Sequence, residues 1–319
     1  MPPPKENHIR QRLLEIFSLV NMDSLPAMTE HVGELISLLG NNRSTAHELA
    51  DAILKDFSLT TKILQVVNSA YYSRGTPISS ISRAVTVVGF DTLRQLATTM
   101  ALFEQFVNAG AEKDEIAGVF TTSLLSATQS RIYCELKKIH ISPEEAFICT
   151  MLHRLGKIVV LVYLPDLYHA INDRIRQGYS EEHSCRNVLH GLTYSQVGQE
   201  IATYWNFSKR IVSCMGTEPV KPGKSQDSFL LLHNVVVFSN NLTSAYFEGT
   251  AVDMAELIFQ FGSILSIGKD ESLELVQRSI AICENLSGAM RGGLSRIGKK
   301  RSDEITVSKD HSGRWTRLT

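Results

Sequence analysis

Apolar residues recur at spacings of three and four along almost the whole chain, a period that admits helices and excludes most sheets. Ile9, Leu13, Ile16, Phe17 and Val20 fall on one face, and after Pro26 a second stripe runs through Val32, Leu35, Ile36 and Leu39. Thr45, with Glu48 three residues later, reads as a capping box that opens a third helix. Ser58 caps a fourth, through Leu59, Ile63, Leu64 and Val67 to Asn68-Ser69. Beyond the loop 73–79, helical spacing resumes at Ile81 and pauses at Gly89, and it continues over 91–107 and 112–138. Ser142 followed by Pro143 starts another helix, over 143–155. Two valine-rich runs, 158–164 and 230–238, have the composition of buried strands. They stand alone among helices with no strands to pair with, so the expectation is an all-α fold.

At 319 residues, with 43% hydrophobic and 20% charged side chains, the chain can build two modest domains or one large core. The longest purely apolar run, Ile158 to Leu164, falls far short of the roughly 20 residues that span a bilayer, and MPPPKENHIRQR opens onto an amphipathic segment. These features lead us to expect a cytoplasmic protein with no membrane partner. Five scattered cysteines form neither a disulfide framework nor a zinc-finger spacing. Charge is uneven: from Leu286 onward the chain carries +5, against −6 for the rest. The expected organisation is an N-terminal helical bundle over 1–110, a second bundle over 111–285 and a flexible basic tail over 286–319. Within that tail, Arg291 to Arg317, with Trp315 for stacking, form the candidate contact with nucleic acid; the competing expectation is a solvated tail.

The heptapeptide MLHRLGK, 151–157, looks like a metal-site signature with one ligand inverted. A His-Asp pair followed by Gly-Lys offers a nitrogen and a carboxylate oxygen to a divalent ion. Here Arg154 follows His153, and a guanidinium repels the cation that the carboxylate would bind. His153, Arg154 and Lys157 are therefore candidates for holding a phosphate-bearing ligand instead. The competing expectation makes His153 a satisfied core histidine and Arg154 half of an internal ion pair.

Several stretches in fixed order carry a family resemblance. They are Leu25-Pro26, ELADAILKDFSLTTKILQVVNSAYY at 48–72, ISSISRAVTVVGFDTLRQL at 78–96, EEAFICTMLHRLGKIVV at 144–160, and GLTYSQVGQEIATYWNFSKRIV at 191–212 with Gly198 and Trp205. Through these the chain resembles the HDOD family, the all-helical signalling relatives of HD-type metal-dependent phosphohydrolases, over about 25–245. The resemblance implies a degenerate HD-like bundle. An active HD enzyme would carry a His near Thr122-Ser123, a His-Asp pair at 153–154, often a His near Tyr194, and an Asp near Asn240. This chain keeps only His153, too few donors for a metal centre. The implied function is a non-catalytic bacterial signalling module with a protein partner, or with a phosphorylated ligand in a vestigial pocket of His153, Arg154, Lys157, Tyr194 and Asn240. The alternatives are a divergent metal-dependent phosphohydrolase and a nucleic-acid-binding regulator. No catalytic residue, metal or cofactor is expected.

Other candidates are weaker. His183 and His190, seven apart, would share a helix face, but Cys185 points elsewhere and leaves two ligands at best. GLSRIGKK, 293–300, nearly matches a phosphate-binding loop, yet Lys300 stands where a hydroxyl is needed. Asn68-Ser69 read as a helix terminus, and Tyr71-Tyr72 as its closure on the next loop.

Overall fold

In the computed structural model, the described residues are 45–55, 78–90, 112–204, 207–220, 227–247, 249 and 251–284, scattered helical positions between 34 and 101, and strands 307–309 and 315–317. The expectations at 6–20, Ser58, Asn68-Ser69, Tyr71-Tyr72, Trp205 and 291–306 lie outside them. The described body is built of helices throughout.

Local sequence sets most helix starts. Helix α1, Ala46–Leu54, opens on the anticipated capping box: Thr45 Oγ1 accepts from the Glu48 amide at 3.2 Å, and Glu48 Oε2 accepts from the Thr45 amide at 2.7 Å. Helix α2, Ile81–Val88, is capped by Ser80 and ends at Gly89, whose φ of 96° suits a residue without Cβ. Then follow α3 (Lys113–Lys137), α4 (Pro143–Leu152), α5 (Leu155–Tyr163), α6 (Pro165–Arg176), α7 (Glu181–Val188) and α8 (Tyr194–Tyr204). Short α9 (Lys209–Ser213) precedes the long α10 (Ser228–Phe247), α11 (Ala251–Leu265) and α12 (Lys269–Glu284). Both valine-rich runs are helical, in α5 and α10 apart from Leu164, which follows α5, and burial on several sides removes the polar face that would have marked a helix. In the tail, β1 (Val307–Lys309) and β2 (Trp315–Arg317) pair antiparallel, with Val307 opposite Arg317.

Helix α3 is the axis of the bundle, packed by α4, α10 and α12. Its middle, from Thr121 to Cys134, is buried on every side, although half of that stretch is polar. Hydroxyls turn back onto the helix, as when Ser123 Oγ donates to Val119 O at 2.8 Å and Thr128 Oγ1 to Leu124 O at 2.8 Å. Others bridge helices: Ser126 Oγ donates to Thr243 Oγ1 at 2.8 Å, Thr243 Oγ1 to Gln129 Oε1 at 3.2 Å, and Gln129 Nε2 to Ser279 Oγ at 3.3 Å. Every member is paired, which makes such a layer tolerable in a core.

One contiguous apolar cluster takes in Leu49, Ala84 and Leu93 together with Val160, Val236 and Leu275. Residues on both sides of position 110 thus share a core. The stretch Glu145–Tyr163 is apolar and long enough to cross a membrane by length and composition, but it is the α4–α5 corner and lies mostly inside the bundle.

Candidate functional site

The helix expected over 143–155 breaks three residues early, after Leu152, and that break builds the site. His153 closes α4, its amide reaching back to Thr150 O at 3.3 Å, and Arg154, with ψ of 14°, starts α5. Beyond the corner Gly156 meets α8 at backbone distance. A Cβ there would lie 1.9 Å from Tyr194 O and 2.6 Å from Gly198 N. The glycine of the heptapeptide therefore serves a helix crossing, and Gly198 supplies its other half.

His153 Nε2 lies 3.0 Å from Gly216 O. A carbonyl only accepts, so Nε2 carries the proton. Burial lowers the imidazole pKa to about 4, against the hydrogen bond to Gly216, and the Arg154 charge lowers it further; the ring is neutral at pH 7. Arg154 is anchored on α10: Nε donates to Asn240 Oδ1 at 3.2 Å, and Nη2 to Asn240 O at 3.2 Å and to Ser244 Oγ at 2.8 Å. Asn240 Nδ2 in turn donates to Val236 O at 3.0 Å. Arg154 thus makes no internal ion pair among the described residues; its acceptors are neutral oxygens.

Lys157 is held differently. Its Nζ pairs with Glu181 of α7 and lies 5.5 Å from the Tyr194 ring centroid. Burial pushes the Lys157 pKa down and that of Glu181 up, but their mutual attraction outweighs both effects, leaving the lysine raised and the carboxylate lowered. Glu181 is 50% exposed, so solvent screens the pair and its net stabilisation is small. The Tyr194 hydroxyl is buried without a hydrogen-bond partner, and desolvation raises its pKa.

Four of the five candidate residues accordingly form two groups: Arg154 with Asn240, and Lys157 with Tyr194. His153 faces neither partner set; it meets a strap, Cys214–Val220, that runs past the corner. Ser195 Oγ donates to Met215 O, His233 Nε2 to Glu218 O at 2.9 Å, and Asn234 both accepts from Val220 N at 2.9 Å and donates to Val220 O at 2.7 Å. A Cβ on Gly216 would lie 2.9 Å from His233 Cε1, so the strap lies flat only with glycine there. Sequence reasoning missed Ser244, Glu181, Gly216, His233 and Asn234. Gly156 was signalled by its place in the heptapeptide, and Gly198 by the family resemblance.

The donor set does not fit a divalent metal. Thr122 and Ser123 hydroxyls bond to carbonyls of their own helix, Asn240 offers its amide oxygen to Arg154, and a guanidinium occupies the carboxylate position. Among the described residues no three His, Cys, Asp or Glu side chains could hold an ion together. The His183 and His190 pairing fails too: α7 ends at Val188, and His190 has a left-handed φ of 51°.

The HDOD domain family model matches residues 25–218. An uncharacterised protein of Treponema pallidum (strain Nichols) is 20% identical over 234 residues, 72% of this chain; the match spans 44% of that relative's length. Among solved structures, an HDOD domain protein of unknown function from Geobacter sulfurreducens superposes with TM-score 0.63 at 19% identity, covering 93% of this chain and 98% of that one. A protein of Shewanella amazonensis SB2B, named provisionally as a phosphohydrolase, gives 0.65 at 18% identity, covering 88% and 98%. A provisionally named signal transduction protein of Marinobacter aquaeolei VT8 gives 0.59 at 17% identity, covering 84% and 60%.

Proposed function

The chain belongs to the HDOD domain family, and from that premise we propose that it is a non-catalytic signalling module whose inherited pocket binds an anion rather than a metal. The observation that carries this reading is Arg154, a partly buried guanidinium held by three neutral acceptors where an HD enzyme would place its metal-binding carboxylate. Asn240 and Ser244 orient its fork without cancelling its charge, which is what recognition of a phosphate group requires. Lys157 adds less, because Glu181 already neutralises it.

An anion bound at Arg154 would act on the corner between α4 and α5, and both helices reach the bundle axis at α3. A shift in that packing is the proposed route to a protein partner, since a ligand moves an equilibrium only through its different affinity for the two arrangements. The names of the Marinobacter and Shewanella proteins suit a signalling role and an HD ancestry respectively.

Calorimetric titration with pyrophosphate tests the reading. Binding is expected to the intact chain and to weaken at least about tenfold in Arg154→Ala, as for loss of one charge-assisted contact. Stoichiometric manganese, together with phosphodiester turnover abolished in His153→Ala, would instead establish the phosphohydrolase alternative.

A further inference from the structure

Two of the five cysteines meet. Cys149 lies on α4 and Cys214 follows α9, each one turn beyond a member of the Glu145–Arg210 ion pair; they are 1% and 0% exposed, and their thiols are neighbours. One turn earlier on each element, the Arg210 guanidinium grips the Glu145 carboxylate with two nitrogens, Nη2 to Oε2 at 3.0 Å. The ion pair and the thiol pair thus pin α4 to α9 at successive turns. Elsewhere the arrangement differs: the Cys283 thiol sits 3.6 Å from Thr128 Oγ1. Cys214 is also the root of the strap that carries Gly216 to His153.

We propose that Cys149 and Cys214 are a redox-modifiable pair, closing to an intramolecular disulfide under a peroxide and fixing the root of the strap. In the first step one thiolate attacks a peroxide oxygen; an S–O bond forms, the O–O bond breaks, and the departing hydroxide takes up the proton the thiol had shed and leaves as the first water. The second thiol then attacks the sulfenic sulfur; the S–S bond forms, the S–O bond breaks, and the departing hydroxide takes the thiol proton as a second water. Two thiols lose two electrons, and hydrogen peroxide is reduced to water. Neither thiol is exposed, and burial beside Cys214 also raises the Cys149 pKa, so the pair answers sustained oxidant rather than a brief pulse.

The test uses the full-length reduced protein, exposed to hydrogen peroxide, alkylated and mapped by mass spectrometry without reduction. The expected product is a cross-linked peptide containing Cys149 and Cys214, reversed by dithiothreitol and absent from Cys149→Ser and Cys214→Ser. Amide hydrogen exchange over 214–218 is expected to slow about tenfold on oxidation. Recovery of both residues as thiols, at a dose that has already converted methionines to sulfoxide, would overturn the pairing. A cross-link with unchanged exchange over 214–218 would overturn the effect on the strap. The wild-type mapping needs no variant to fold, and pyrophosphate binding does not enter either readout.

Discussion

A methyl group at position 156 would press on Tyr194 O and Gly198 N, backbone atoms that cannot rotate aside. Gly156→Ala is therefore expected to destabilise the chain by more than about 3 kcal/mol, read as a lowered urea midpoint. His153 carries a pH dependence of calculable sign. Its pKa of about 4 in the fold lies below the ordinary 6.5, so the unfolded chain binds more protons between the two. The stabilisation from keeping the ring neutral is complete above pH 6.5 and is lost as pH falls to 4. Unfolding free energies from urea titration are expected to drop over that window by up to about 3 kcal/mol, and the drop to shrink in His153→Gln, whose amide can still donate to Gly216. His153 and Arg154 were legible as special because the heptapeptide juxtaposes them. Gly216 and Ser244 were not, because they lie 63 and 90 residues away and nothing local marks them, whereas Asn240 was named only through the family resemblance.

Helix starts were the most readable elements, since a cap is chemistry confined to four residues: Thr45 and Ser142 both accept from the third amide of their helices, as does Ser80, which was not read as a cap. The break at Leu152 left no such trace. It follows from the α5–α8 crossing, a tertiary demand. Helix α3 was placed within a residue of each end, but its polar interior was not recognised as core, because serine and threonine there look like a solvated face, and nothing in the pattern shows that their hydroxyls turn back onto carbonyls of their own helix. Thr243→Val tests that layer. Valine keeps the shape but leaves Ser126 and Gln129 without their shared partner, and a loss of about 1–3 kcal/mol is expected by denaturant titration.

For the whole molecule, the continuity of the core across position 110 matters more than the count of helices. A cluster joining Leu49 to Leu275 predicts one cooperative transition. Tyrosine fluorescence and far-ultraviolet circular dichroism should give coincident urea curves, and two separated transitions would show that the halves unfold independently.

The polar axis has a last consequence, for synthesis on the ribosome. Helix α3 leaves the exit tunnel about 110 residues before the end of α10, roughly 5–20 s at the usual rate of elongation. An oily central helix would spend those seconds as a target for chaperones or for another nascent chain. A helix lined with serine, threonine and glutamine can wait in water for its partners.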